Sequence, residues 1–222
     1  MRPLNRYEAL RRELDIEQLM QAAREKSSLS DYGDGGFVKS LNVLLDCVAR
    51  DTNFHPAGLK EFREEIIRDL VNRLRLINDI KLYPEIRDED VSDPIIIFGL
   101  PRSGTTKTQR MMGTDPNLLK TYMWQLLNPA PFPNALSGQP DPRIAASYLG
   151  DTLAEDNPAV QAGHHMAAEQ VEEDWTLFDH TFNDWFHNCR TPSRSWHDWV
   201  MWRTEPTDLD NYRYVRLLFQ YL

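Results

Sequence analysis

The chain has 222 residues, of which 41% are hydrophobic, and its formal net charge is −9 because 34 acidic residues outnumber 25 basic ones. This length and composition predict a globular protein of one or two domains with a sizeable core. The negative charge disfavours nucleic acid as a partner, since domains that bind it usually present a clustered basic face. No apolar run approaches the roughly 18 residues of a membrane span, and the first residues lack the apolar segment of a signal peptide. We therefore expect a cytoplasmic protein without a transmembrane segment.

The first 92 residues predict a helical region. Apolar residues recur at helical spacing in residues 10–20, 37–50 and 58–80. In the third stretch they recur every three or four residues along one face: Phe62, Ile66, Leu70, Leu74 and Ile77. Tyr83-Pro84 and a following acidic stretch then form a connector. We predict a boundary near residue 92, with a helical N-terminal region over 1–92 and a second domain over 93–222.

Residues 94–114 predict a strand, a glycine-containing turn and the start of a helix. Residues 95–98, Ile-Ile-Ile-Phe, form the short apolar run that is typical of a parallel strand covered on both faces. Gly99 and Pro101 end that strand, and a helix can begin at Gly104. The free N–H groups at a helix start, together with the positive end of the helix dipole, attract anions. The segment therefore predicts a site for a phosphate or a chemically related group.

The spacing of the loop argues against an ordinary nucleoside-triphosphate site. Gly99 and Gly104 stand at the separation of the nucleotide-binding P-loop, but Thr105 occupies the place of its lysine. Lys107 comes two positions later and would leave the helix on another side. Arg102, inside the turn, supplies a cation instead. The loop therefore lacks the main cation of a conventional ATPase or GTPase.

The segment Leu-Pro-Arg-Ser-Gly-Thr-Thr, residues 100–106, resembles the 5′-phosphosulfate loop of sulfotransferases, especially those of the bacterial branch. These enzymes use 3′-phosphoadenosine 5′-phosphosulfate (PAPS). The resemblance extends to residues 115–116 and 128–131, and in spacing to 141–143. One departure is that Lys107-Thr108-Gln109 stands where apolar residues would begin the helix. The resemblance implies that the loop holds the phosphosulfate through Arg102, Ser103, Gly104, Thr105 and Thr106.

What this family resemblance implies is a three-layer α/β fold of the P-loop type. The expected activity is transfer of a sulfuryl group from PAPS to a hydroxyl acceptor, with no metal required. Two alternatives remain open at this stage. One is an atypical P-loop nucleotide kinase or hydrolase, and the other is a helical interaction protein with a degenerate anion-binding loop. The sequence identifies neither the acceptor nor the oligomeric state.

A second group of candidate residues follows at His164-His165 and Glu169, with acidic residues at 172–174. Sulfuryl transfer needs a base that accepts the proton of the acceptor hydroxyl, and a neutral histidine or a carboxylate can do this. In related sulfotransferases a histidine or a glutamate has this role. We predict His165 as the base, just before a helix over 169–182 whose first turn carries Glu169. His164, Glu169 and Glu173 are the next candidates. There are two competing interpretations. The histidines could lie in an ordinary surface turn, and the acidic residues could stand at a helix start only because the helix dipole stabilises them there.

Aromatic residues are concentrated between residues 175 and 202. They could form a wall around a hydrophobic acceptor such as a phenol, a sterol or a lipid-like alcohol. Their spacing of three and four residues instead favours the interior of packed helices for most of them. The residues are Trp175, Phe178, Phe182, Trp185, Phe186, Trp196, Trp199 and Trp202.

The sequence downstream of the loop contains fewer strands than such a fold needs. Residues 118–123 could form one short strand, whereas 143–155, 192–202 and 208–222 show helical patterns. The resemblance implies a further strand and loop, with an arginine and a serine, that recognise the 3′-phosphate of the cofactor, and no such segment follows. We therefore expect a truncated chain with an incomplete sheet, an exposed apolar surface and little activity alone.

Overall fold

The computed structural model describes residues 5–100, 102–150, 162, 165–184, 191–202 and 207–222. This part of the chain is helix-rich. A short 3₁₀ helix, Pro84–Asp88, follows the longest α-helix. The α-helices are α1 Arg6–Glu13, α2 Ile16–Ser27, α3 Phe37–Asp51, α4 Pro56–Leu82, α5 Thr105–Met112, α6 Met123–Leu127, α7 Pro142–Gly150, α8 Trp175–Asp179, α9 Arg194–Trp202 and α10 Thr207–Tyr221.

The N-terminal region is helical, as predicted, but its first helix is divided in two. Asp15 stands between α1 and α2, and its carboxylate accepts the backbone N–H of Gln18, which caps α2. The capping group begins a new helix in the middle of an apolar pattern that alone predicts one continuous helix. The helices predicted over 37–50 and 58–80 are confirmed as α3 and α4, and Pro56 occupies the first turn of α4.

The main apolar core lies among α2, α3 and α4. Phe182 and Trp196, from the later part of the chain, are fully buried in this same core. Trp199 packs partly buried against it. This confirms the core interpretation for these aromatic residues, whereas Trp185 and Phe186 lie outside the described residues.

Helix α4 also contributes to a second apolar cluster. Its last turns supply Leu76 and Ile80, which pack with Leu126 of α6, Leu177 of α8, and Val215 and Leu218 of α10. One long helix thus connects the N-terminal core to the elements around residues 126 and 177.

The predicted strand over residues 95–98 is not present. Ile95, Ile96 and Phe98 are 61%, 73% and 89% exposed, and the segment forms no strand. A buried parallel strand requires a neighbouring strand on which to pair its backbone. In the described part of the chain, strand pairing is limited to one isolated antiparallel bridge, Tyr122 to Val171. The strand predicted over 118–123 is reduced to that bridge.

The helix predicted over 169–182 is also wrong in its extent, because only α8, residues 175–179, is helical there. Around the bridge, the Glu172 N–H donates to the Thr121 carbonyl, and the Met123 N–H donates to the Gln170 carbonyl. These long-range backbone bonds hold residues 170–172 extended, so they cannot begin a helix. Glu169 consequently lies in a turn.

The remaining helices of the second half agree with their predicted positions. α9 lies within its predicted stretch, and α7 and α10 each begin one residue before theirs, although residues 151–155 fall outside the described part of the chain. Within the described residues, no helix has the length and apolar character that crossing a membrane requires.

Candidate functional site

The loop before α5 turns sharply through two residues with positive φ. Arg102 has φ 70° and Gly104 has φ 95°. The Ser103 N–H donates to the Leu100 carbonyl over 3.1 Å, which closes the turn. The Thr108 N–H then donates to the Gly104 carbonyl over 3.0 Å as the first bond of the helix. The predicted helix start at Gly104 is confirmed, and the helix ends before Gly113.

The two glycines of the loop have different roles. A Cβ atom on Gly99 would lie 2.6 Å from Ser103 Oγ, so the serine side chain folds back closely over this residue. A Cβ atom on Gly104 would meet nothing within 4 Å, and there the requirement is conformational, since φ 95° disfavours a side chain. The loop is therefore shaped both by close packing and by backbone geometry.

The start of α5 has the features of an anion-binding site. The N–H groups of Thr105, Thr106 and Lys107 precede the first intrahelical bond, so the helix itself gives them no acceptor. The exposed side chains of Arg102 and Lys107 add positive charge. Residues 95–114 include no carboxylate. The loop combines free donors, the helix dipole and two cations in a position open to solvent.

One face of α5 binds the segment over residues 165–173. The hydroxyl of Thr106 donates to the Glu173 carboxylate. The Gln109 side-chain amide donates to the Glu172 carbonyl over 2.9 Å, and Arg110 Nε donates to the Val171 carbonyl over 3.1 Å. Positions 106, 109 and 110 are three and four residues apart and share one helix face. This explains the polar residue at position 109, where the family resemblance favours an apolar one.

Arg110 makes two further contacts with this segment. Its guanidinium donates to the Glu172 carboxylate over 2.9 Å and to the His165 carbonyl over 2.8 Å. The Glu172 side chain is fully buried, so Arg110 neutralises a charge that has left water. Gly113 lies close to Val171, since a Cβ atom there would be 3.1 Å from the valine side chain. The segment that includes the candidate bases is thus fixed along α5.

The structure brings some of the sequence-predicted residues together. Arg102 and residues 103–106 form the loop, and the backbone of His165 lies beside Arg110, about one helical turn beyond Thr106. Glu169 is exposed in the turn that follows. Glu173, a secondary candidate from the sequence, is the carboxylate that contacts the loop helix. His164 lies outside the described residues.

Sequence reasoning missed the role of Gln109 and Arg110. The helical spacing from Thr106 places the three residues on one face, and that signal was available. The residues that they contact could not be predicted from the sequence, because the position of residues 165–173 depends on the long-range bridge between Tyr122 and Val171. Among the residues that the structure describes, no group of three or more histidine, cysteine or acidic side chains could hold a metal ion.

The motif at residues 141–143 fixes the proline-rich tract that follows α6. Arg143 donates to the carbonyls of Asn128 and Pro129, over 3.1 and 2.8 Å, and to both carboxylate oxygens of Asp141. Its guanidinium lies 4.5 Å from the centre of the Trp124 ring. The hydrogen bonds from Arg143 hold the pKa of Asp141 below its usual range. This motif has a structural role, holding the start of α7 against the end of α6.

Comparison with known proteins agrees with this geometry. The model of the sulfotransferase family matches residues 94–222. Sulfotransferase STF1 from Mycobacterium tuberculosis H37Rv superimposes with a TM-score of 0.70 and 27% identity over 92% of this chain. Sulfotransferase STF9 from Mycobacterium avium superimposes with a TM-score of 0.76 and 22% sequence identity over 93% of this chain, which shows a common fold. This chain spans 56% and 53% of those two proteins. A comparison with curated protein sequences finds no match.

These matches confirm the predicted resemblance and give the nucleotide kinase and the interaction protein no support. The matched region contains the loop, α5 and the segment over 165–173, and it covers more than half of the chain. The chain belongs to the sulfotransferase family.

Proposed function

We infer that this chain carries the donor-binding loop of a sulfotransferase that moves a sulfuryl group from PAPS to a hydroxyl acceptor. The observation that supports this most directly is the turn with positive φ at Arg102 and Gly104, which opens α5 toward solvent with its first N–H groups free. The phosphosulfate end of PAPS is an anion of the size and charge that such a helix start binds.

In this proposal residues 102–106 hold the donor. The backbone N–H groups of Ser103, Gly104, Thr105 and Thr106 bind the sulfuryl group and the adjoining 5′-phosphate. The guanidinium of Arg102 compensates the negative charge that builds on the bridging oxygen as it leaves. These groups supply the electrostatic stabilisation without a metal ion. The close approach of Ser103 to Gly99 fixes the loop before the donor arrives.

The transfer itself needs a base. The acceptor oxygen forms a bond to sulfur, the bond from sulfur to the bridging oxygen breaks, and 3′-phosphoadenosine 5′-phosphate (PAP) leaves. The acceptor's hydroxyl proton passes to the base. We propose His165 for this role, with Glu169 as the second candidate, because both side chains are exposed on the segment that α5 holds.

The position of His165 can be tested by a structure with PAP bound. Its ring should lie within hydrogen-bonding distance of the open side of the loop, directly or through one water molecule. A ring that faces away, on the far side of the core from Arg102, would remove His165 from the mechanism and leave Glu169 to be tested.

For the acceptor we propose a small hydrophobic alcohol or phenol. Most of the described aromatic residues between 175 and 202 are used in packing. Phe182 and Trp196 are buried, Trp199 stacks on Trp196 with ring centres 4.9 Å apart, and Phe178 packs edge-on against Tyr212. Trp175, Phe178 and Trp199 keep some exposed surface and are the candidate rings for contact with an acceptor.

A thermal-shift comparison tests the proposed function. PAP should stabilise the chain without magnesium, because the loop binds the anion through N–H groups and Arg102. Stabilisation by ATP only in the presence of magnesium would support the kinase instead. Stabilisation by neither ligand would support the interaction protein.

A further inference from the structure

The contact between Thr106 and Glu173, which we call the Thr106–Glu173 contact, places a negative charge at the anion-binding end of α5. Thr106 is the second residue of the helix, and its hydroxyl donates to the Glu173 carboxylate. An ionised carboxylate accepts hydrogen bonds but cannot donate one, so the hydroxyl proton of Thr106 is committed to Glu173. While the contact exists, Thr106 cannot also donate that proton to a bound anion.

The neighbouring charged residues leave the Glu173 carboxylate available to contact Thr106. Of the three consecutive acidic residues at 172–174, Glu172 is paired with Arg110 over 2.9 Å. Glu172 also accepts the Glu173 N–H through its Oε1 atom, over 3.1 Å. Glu173 itself faces the first turn of α5, where the helix dipole is positive and stabilises a carboxylate. The protein therefore presents its own anion where the donor anion is proposed to bind.

The backbone beside Glu173 is held independently of the contact. The Glu172 N–H and carbonyl are bonded to Thr121 and Gln109, and Arg110 fixes the Val171 carbonyl. Glu173 can therefore leave Thr106 by a rotation of its side chain, without movement of the segment that carries it. Displacement requires a ligand that compensates the lost charge-assisted hydrogen bond.

We propose that Glu173 is a competing internal anion that occupies Thr106 in the empty loop and must be displaced by the sulfuryl donor. The proposal rests on the proposed function and adds selectivity to it. Free sulfate or phosphate offers the loop only a small anion and must displace Glu173 unaided. A nucleotide donor makes further contacts that offset this cost, so the loop discriminates against small inorganic anions.

The test is calorimetric titration with PAP of the whole chain and of the variant Glu173→Gln, at fixed pH and ionic strength. Glutamine keeps the size of the side chain and can still accept from Thr106, but through a neutral hydrogen bond that the donor displaces more easily. The Kd for PAP should fall by about tenfold in this variant. Asp174→Asn removes a charge one residue away and is the matched control, with a change of about twofold or less.

A double-mutant cycle shows whether Glu173 acts through Thr106. In the background of Thr106→Val, the gain from Glu173→Gln should disappear, since the hydroxyl for which Glu173 and the donor compete is gone. An equal gain in both backgrounds would reflect general electrostatics and would overturn the proposal. Weaker binding by Glu173→Gln would also overturn it.

The same titrations separate this proposal from the proposed function. If PAP binding is lost in Arg102→Ala but unchanged in Glu173→Gln, the assignment of the donor-binding loop stands and the role of Glu173 as a competing anion is rejected. Absence of PAP binding in the unmodified chain and in Glu173→Gln contradicts both.

Discussion

At the scale of single residues, the loop before α5 stores backbone strain. Gly104 at φ 95° has the residue type that this conformation favours, but Arg102 at φ 70° does not. A side-chain-bearing residue in the left-handed region costs on the order of 1 kcal/mol and persists where the surroundings impose it. The strained residue is the one whose guanidinium is proposed to meet the donor.

The substitution Gly104→Ala measures the conformational part of this cost. Because a Cβ atom there meets nothing within 4 Å, the change creates strain without a clash. The free energy of unfolding should fall by roughly 1 kcal/mol in urea denaturation. Gly35→Ala is the control, since its Cβ atom also meets nothing and its φ is not positive. An equal loss in both variants would mean that φ at Gly104 is not the cause.

At the scale of elements, the ion pair between Arg110 and the buried Glu172 is one of the contacts that hold α5 to the segment over 165–173. Arg110→Met removes the guanidinium that lies 2.9 Å from the fully buried Glu172 carboxylate. We expect a loss of about 3 kcal/mol in the free energy of unfolding, much of it recovered in the double variant Arg110→Met with Glu172→Gln.

The control for Arg110 is an exposed ion pair of similar length. Arg194 and Asp198 lie 2.9 Å apart, but their side chains are 83% and 42% exposed. Arg194→Met should therefore leave the free energy of unfolding nearly unchanged. A loss at Arg110 no larger than that at Arg194 would contradict the structural role of the buried pair.

The stability that the Arg143–Asp141 contact contributes between α6 and α7 should depend on pH. Hydrogen bonds from Arg143 lower the pKa of Asp141, so the folded protein favours the ionised carboxyl more than the unfolded chain does. This stabilisation is complete above the unfolded pKa of roughly 4 and is lost as the pH falls through the lower folded value. Asp141→Asn should lose about 1 kcal/mol at pH 7.

Denaturation at several pH values checks this expectation for Asp141. The difference between Asp141→Asn and the unmodified chain should shrink below about pH 4, because protonation then removes the same interaction. A difference that stays constant from pH 7 to pH 3 would show that the charge of Asp141 contributes nothing.

The elements that the sequence predicted correctly depend on local signals. The apolar spacing along α4 and the position of Gly104 before α5 are sufficient to locate those two helices. Residues 95–98 and 169–174 were mispredicted because their conformation depends on distant partners. A run of isoleucines favours a strand only where another strand pairs with it, and the bridge at Val171 prevents a helix that local spacing favours.

The same distinction applies to the site. The loop residues 102–106 are contiguous and carry a motif, so the sequence located them. The contact of Glu173 with Thr106 could not be predicted from the sequence, because the two residues are 67 positions apart. Contacts between residues so far apart in the sequence can be identified only from the folded structure.

At the scale of the whole molecule, the structure shows an exposed apolar segment next to the loop. Ile95, Ile96, Phe98 and Leu100 are all largely exposed, although residues of these types are usually buried. The chain also spans little more than half of each solved sulfotransferase that it resembles. Because this segment has no strand partner among the described residues, it presents open backbone groups beside the loop before α5.

The expected absence of a 3′-phosphate subsite stays a prediction and has a direct test. A thermal-shift titration should show the same stabilisation by PAP and by adenosine 5′-phosphate, since the loop binds only the 5′ end that the two ligands share. A clear preference for PAP would show that residues of this chain recognise the 3′-phosphate.

The most direct measurement of the central claim is calorimetric titration of PAP into the unmodified chain and into two variants, Arg102→Ala and Lys107→Ala. Both remove an exposed cation near the start of α5, but only Arg102 lies in the turn. We predict that Arg102→Ala weakens PAP binding by about a hundredfold or more, whereas Lys107→Ala changes it by about threefold or less. Unchanged affinity in Arg102→Ala would contradict the assignment of residues 102–106 as the donor-binding loop.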